Sequence, residues 1–236
     1  MFEKLFRNTT ESEKNAAVEA IIAHATPRQG FFLMLILSVA MASFGILLNS
    51  IVILVGSMLI APLLYPLLSL SLGVILADQK LIRNSFFTIL KSVGYALTAG
   101  FFIGFLFSTH QSTILLSTGT TSGSASLMYS IVAAIAGFAA AFAMIKPYLN
   151  ETLPGVAISV ALVPPLAMAG VALSLFNWAL FSSSLLLFLV NVIGIVFSSM
   201  IVFALFHFSV KRTIAKEIIK EEEKIIKEEA KTSAPA

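Results

Sequence analysis

The sequence predicts an all-α, polytopic membrane helix bundle of six transmembrane helices, an inverted 3+3 repeat whose second and fifth helices are broken by proline. Three observations carry this. The 236-residue chain is 58% hydrophobic and 11% charged, whereas a soluble domain carries roughly a quarter charged residues. The charges are segregated, because between residues 31 and 210 only Asp78, Lys80, Arg83, Lys91, Lys146 and Glu151 are charged. Two apolar stretches also hold paired prolines at matching depth, Pro62 with Pro66 and Pro164 with Pro165.

Residues 1–30 form a charged tail. Thr10-Glu11-Ser12-Glu13 has capping-box spacing and opens a short amphipathic helix to about His24, ended by Pro27. No cleavable signal peptide is visible in this stretch. Apolar runs of about 20 residues then cross a bilayer as helices, at roughly 31–50, 51–77, 86–108, 127–148, 152–176 and 179–208. Short turns at Asn49-Ser50 and Asn177-Trp178 make hairpins of their flanking spans.

With six crossings the bases sort to one side. All fifteen Lys and Arg lie in the N-terminal tail, the 78–91 connection, the 146–151 turn and the C-terminal tail. The opposite side, including the 109–126 loop, has none. By the positive-inside rule both termini are cytoplasmic in a multi-pass cell-membrane protein. The basic pI of about 9.2 therefore reads as orientation and headgroup contact, with no reason to invoke nucleic acid.

A shift of 102 residues places Asn49 on Glu151, Ser50 on Thr152, Ser57 on Ser159 and Pro62 on Pro164. Three crossings per half, 31–108 and 127–208, put the second copy in the opposite orientation, with the polar 109–126 stretch as linker. A proline inside a helix removes a backbone donor and clashes one turn back. Hydrocarbon satisfies no freed group, so such breaks persist where protein or an aqueous cavity covers them. Helix ends of about half a charge meeting at the midplane can hold an ion or polar solute without formal charges. Packing kinks are the competing explanation of the same prolines.

Candidate substrate-binding residues are Ser57, Pro62, Pro66, Ser159, Pro164, Pro165 and Asn191. Asn191 lies midway along the sixth span, where its amide either bonds carbonyls freed near a proline or meets a solute. Ser57 and Ser159 precede their prolines by about a turn and can also bend their own helices. Glu151 caps the fifth helix or pairs with Lys146, with a proton relay as the alternative. Steps of four in Ala96, Gly100, Gly104 and Ser108, and in Ala133, Gly137 and Ala141, mark packing seams, placed within the chain.

Beyond residue 208 a charged helix carries isoleucines at 214, 218, 219, 225 and 226. It either joins subunits of a homo-oligomer or lies on the membrane surface.

The stretches Val55 to Pro66, Leu153 to Gly170 and Leu187-Phe188-Leu189-Val190-Asn191 resemble the hydrophobic membrane family catalogued as domain of unknown function 389. The resemblance covers about residues 31–208. Ser57 stands where that family is expected to carry alanine, and longer members carry a soluble domain before the membrane part. The resemblance implies a polytopic membrane protein and transfers no catalytic residue.

An enzyme is not expected, since the spans hold no pair of acids, no Ser-His pair at matching depth and no metal-ligand cluster. With no cysteine, thiol metal and redox centres are excluded; no cofactor is implied, and the expected partners are the lipid bilayer and a small polar solute or ion. Transport is the first reading, with an ion channel, or a structural or regulatory protein acting through its charged tails, as alternatives.

Overall fold

Thr10 and Glu13 cap one another. Thr10 N–H donates to Glu13 Oε2 at 2.8 Å and Glu13 N–H to Thr10 Oγ1 at 3.2 Å, so the capping box opens α1 (Glu11–Ala25) as its spacing predicts. The computed structural model describes residues 10–25, 29–107, 123–146, 152–208, 215 and 217–220. Its further helices are α2 (Gln29–Leu47), α3 (Ile51–Met58), α4 (Leu64–Leu76), α5 (Gln79–Phe107), α6 (Gly123–Ile145), α7 (Thr152–Ser174) and α8 (Trp178–Leu205), with no strand among the described residues.

Among the described residues, five helices are long and apolar enough to cross a membrane: α2, α5, α6, α7 and α8. Their outer faces expose large apolar side chains such as Phe105 (67%), Ile193 (66%) and Ile135 (64%). Water would oppose so extensive an apolar surface, whereas a bilayer accepts it. The molecule is a multi-pass membrane protein of apolar helices.

The predicted second span is divided between α3 and α4. Eight and 13 residues rise about 12 and 20 Å, so neither alone spans the ~30 Å hydrocarbon core. Residues 59–63 between them are non-helical and contain Pro62. Pro66 is not part of this interruption. It is the third residue of α4, in the first turn, where its missing N–H has no intrahelical acceptor to lose.

The expected break at Pro164-Pro165 does not occur, and α7 runs through both prolines. Neighbouring helices can satisfy backbone groups that proline frees and so keep a membrane helix continuous. The 78–91 connection is also corrected, because helix begins directly at Gln79. Asp78 Oδ1 accepts from the N–H groups of Lys80 and Leu81 at 3.0 and 3.1 Å, capping α5 at once.

Three turns share one construction. Asn49, Ala77 and Phe176 adopt left-handed φ of 54°, 49° and 53°. The N–H of the next residue reaches back five residues in each case: Ser50 to Gly45, Asp78 to Gly73 and Asn177 to Ala172. This is the Schellman ending. Ser50, Asp78 and Asn177 then cap the following helix with their side chains, so each hairpin turns within a few residues.

The core lies where the elements converge. α5 packs on α2, α4 and α7, while α8 packs on α6, α7 and α4. Both small-residue seams lie between helices of this chain. A Cβ on Gly100 would stand 3.0 Å from Gly170 Cα, and one on Gly137 only 2.7 Å from Ile195 Cα. α1 folds back onto α4 and α6, burying Ala17, Val18, Ile21 and Ile22. Ala215 and Ile219 are buried as well, but most of the expected C-terminal helix, the 109–122 part of the linker, Pro27 and Glu151 lie outside the described residues.

Candidate functional site

The interruption between α3 and α4 is held by hydroxyls from two other helices. Ser38 on α2 donates to the Ser57 carbonyl at 2.8 Å. Ser159 on α7 directs its hydroxyl between the Gly155 carbonyl of its own helix, at 3.1 Å, and the Ala61 carbonyl in the interruption, at 3.3 Å. Ser57 instead donates within α3, to the Leu54 carbonyl at 2.6 Å. The back-bonding predicted for these serines is therefore present, and in Ser159 it is shared with the interruption.

Two residues beyond Ser159, the Ala161 carbonyl would ordinarily accept from the N–H of residue 165, and Pro165 has none. Asn191 on α8 takes its place, donating from Nδ2 to Ala161 O at 2.8 Å. This contact compensates for Pro165 within the continuous α7. The acceptor left by one proline is met by a side chain 30 residues further along the chain. The opposite end of the amide, Asn191 Oδ1, is buried and has no hydrogen-bond partner among the described residues.

The structure thus gathers the interruption at Pro62, Ser159 and the Asn191–Ala161 bond around one stretch of α7. Ser57, Ser159, Pro66, Pro165 and Asn191 are buried, while Pro62 and Pro164 are half-buried. A groove of about 310 Å³ lies elsewhere, between α2 and α5, lined by Ile36, Ala40, Tyr95, Thr98, Ala99, Phe102 and Ile103. It is apolar and contains none of the candidate residues.

Two features of the site were missed in the sequence. Ser38 is one of the few polar residues in α2, and that scarcity was the available signal. Tyr65, beside Pro66, stacks on His24 of α1 with ring centroids 4.7 Å apart; nothing local pointed to it. Lys146, buried at the end of α6, lies 5.8 Å from the Phe206 ring centroid, and its expected partner Glu151 is outside the described residues. No group of three or more potential metal ligands occurs among the described residues.

The family model described as a domain of unknown function, DUF389, matches residues 58–197, which contain the Pro62 interruption, Ser159 and Asn191. The chain belongs to this family. An uncharacterised protein of Methanocaldococcus jannaschii is similar to it, with 32% identity over 185 residues covering 78% of this chain. The DUF389 chain described here matches 57% of that relative's length. No solved structure matches.

Proposed function

We propose that this DUF389 protein transports a small polar solute or ion across the membrane, through a midplane site between the α3–α4 interruption and the proline-bearing part of α7. The observation that carries the reading is the Ser159–Ala61 contact, which sets an interrupted span against the helix whose own carbonyl acceptors proline has freed. Non-helical backbone at membrane depth is tolerated where protein covers it or water reaches it, and transporters use such backbone to bind solutes.

In this reading α3 and α4 together make one crossing. That gives six crossings with both termini cytoplasmic, as the distribution of bases supports. The inverted repeat is supported by the packing as well. Exchanging α2 with α6, α3–α4 with α7, and α5 with α8 turns the pairs α2–α5, α5–α7, α4–α5 and α2–α3 into α6–α8, α8–α4, α7–α8 and α6–α7, all of them packed. The α2–α7 contact has no equally extensive counterpart. The matching Schellman turns at Ala77 and Phe176 each lead into the third helix of a half.

Ser57, Pro62, Pro66, Ser159, Pro164, Pro165 and Asn191 form the proposed binding region, and catalysis is not part of the reading. A homo-oligomer formed through the C-terminal isoleucines belongs to the same proposal, with native mass after deletion beyond Arg212 as its check.

Aqueous access tests the site. The chain has no cysteine, so Ala61→Cys introduces a single thiol at the interruption. In reconstituted vesicles it is expected to react with a membrane-impermeant thiol reagent, while Ile193→Cys on the lipid face stays silent. Equal silence at both positions contradicts the reading.

A further inference from the structure

We infer that the region around Asn191 binds a monovalent cation, held by neutral oxygens, and discriminates against anions. The inference rests on the transport reading and specifies its substrate class.

The argument begins with a surplus of acceptors. Pro62, Pro66, Pro164 and Pro165 each stand four residues after another residue, namely Met58, Pro62, Val160 and Ala161. Those four carbonyls have no amide N–H at the position where a helix would supply one. Among the described residues three side-chain donors from other helices reach this region: Ser38 serves Ser57 O, Ser159 serves Ala61 O, and Asn191 Nδ2 serves Ala161 O. Of the four carbonyls they reach Ala161 O.

The second bond also orients the amide. A carbonyl can only accept, so Nδ2 faces Ala161 and Oδ1 is the free end. Asn191 is 1% exposed and its Oδ1 is unpartnered among the described residues. A buried oxygen of this kind calls for a partner that brings a hydrogen or a positive charge.

An anion finds the opposite conditions. The start of α4 is the one new helix N-terminus in the region, and its N-cap, Leu63, offers no side-chain bond. Pro66 then removes one of the first-turn N–H groups that would face an anion. A divalent ion ordinarily needs carboxylates, and α2, α3, α4, α6, α7 and α8 contain no Asp or Glu. Neutral carbonyl oxygens can hold a monovalent cation in a membrane protein without any carboxylate.

The test is thermal unfolding of the full chain in detergent, in sodium, potassium or ammonium chloride against choline chloride at equal ionic strength. At saturating salt at least one small cation is expected to raise the midpoint by about 5 °C. Potassium gluconate should match potassium chloride. The Asn191→Leu/Pro165→Ala double variant removes Oδ1 but restores an N–H for Ala161, so it keeps the helix bonded. It is expected to lose the cation shift relative to its own choline baseline. No shift with any cation, or an undiminished shift in the double variant, overturns the inference. In that event, flux of an anion or neutral solute through wild-type vesicles leaves the transport reading standing, whereas absence of all solute flux removes both.

Discussion

Asn191 Nδ2 on α8 lies 2.8 Å from the Ala161 carbonyl on α7, the acceptor that Pro165 cannot serve. One side chain therefore meets the acceptor that Pro165 leaves open and ties α7 to its neighbour.

Asn191→Leu leaves that carbonyl unsatisfied and is expected to lower stability by about 1–3 kcal/mol. Pro165→Ala restores a backbone N–H at the same acceptor. Combined with Asn191→Leu it should recover part of the loss, a non-additive cycle readable in thermal unfolding. Strict additivity of the two substitutions would contradict the shared acceptor.

The crossing of α5 and α7 admits no side chain at Gly100 and Gly170. A Cβ on Gly170 would stand 2.8 Å from Gly100 Cα, backbone that cannot swing aside. Gly170→Ala should cost about 1–3 kcal/mol. At Gly94 a Cβ meets nothing within 4 Å, so Gly94→Ala should be neutral or slightly stabilising, as alanine is the better helix former.

α1 is docked, with Ile21 wholly buried and Glu19 exposed. Ile21→Ala should cost about 2–5 kcal/mol and increase protease cleavage within residues 11–25. Glu19→Ala should change stability by no more than about 0.5 kcal/mol. Equal effects of the two would show that the docking contributes little.

The proposed topology, six crossings with cytoplasmic termini, expects Ser122 and Ala236 on opposite faces. Ser122→Cys and Ala236→Cys should label from opposite sides of oriented vesicles. Labelling from the same side rejects the topology.

Five of the apolar spans, the capping box at Thr10 and the interruption near Pro62 were legible because each depends on local chemistry: an apolar run, a reciprocal side-chain cap, a missing donor. The fate of Pro164-Pro165 was not, since it depends on Asn191 approaching from another helix. Hydropathy likewise hid the first two turns of α5, whose Lys80 and Arg83 resemble a loop, although Asp78 was a readable cap. The docking of α1 had no local signal, as a short amphipathic helix suits a membrane surface equally well. Within the candidate site, the bond of Asn191 to Ala161 O matches one of the two readings open for it, and Ser57 turns back on its own helix, as one reading of it allowed.

Flux through reconstituted vesicles tests the central claim most directly. The wild-type protein should pass a small polar solute or ion faster than protein-free vesicles, and Pro62→Ala, still folded, should change that rate by tenfold or more as α3 and α4 tend to join. Flux indistinguishable from protein-free vesicles across sodium, potassium, ammonium, chloride and small neutral solutes would contradict it, as would a folded Pro62→Ala variant with unaltered flux.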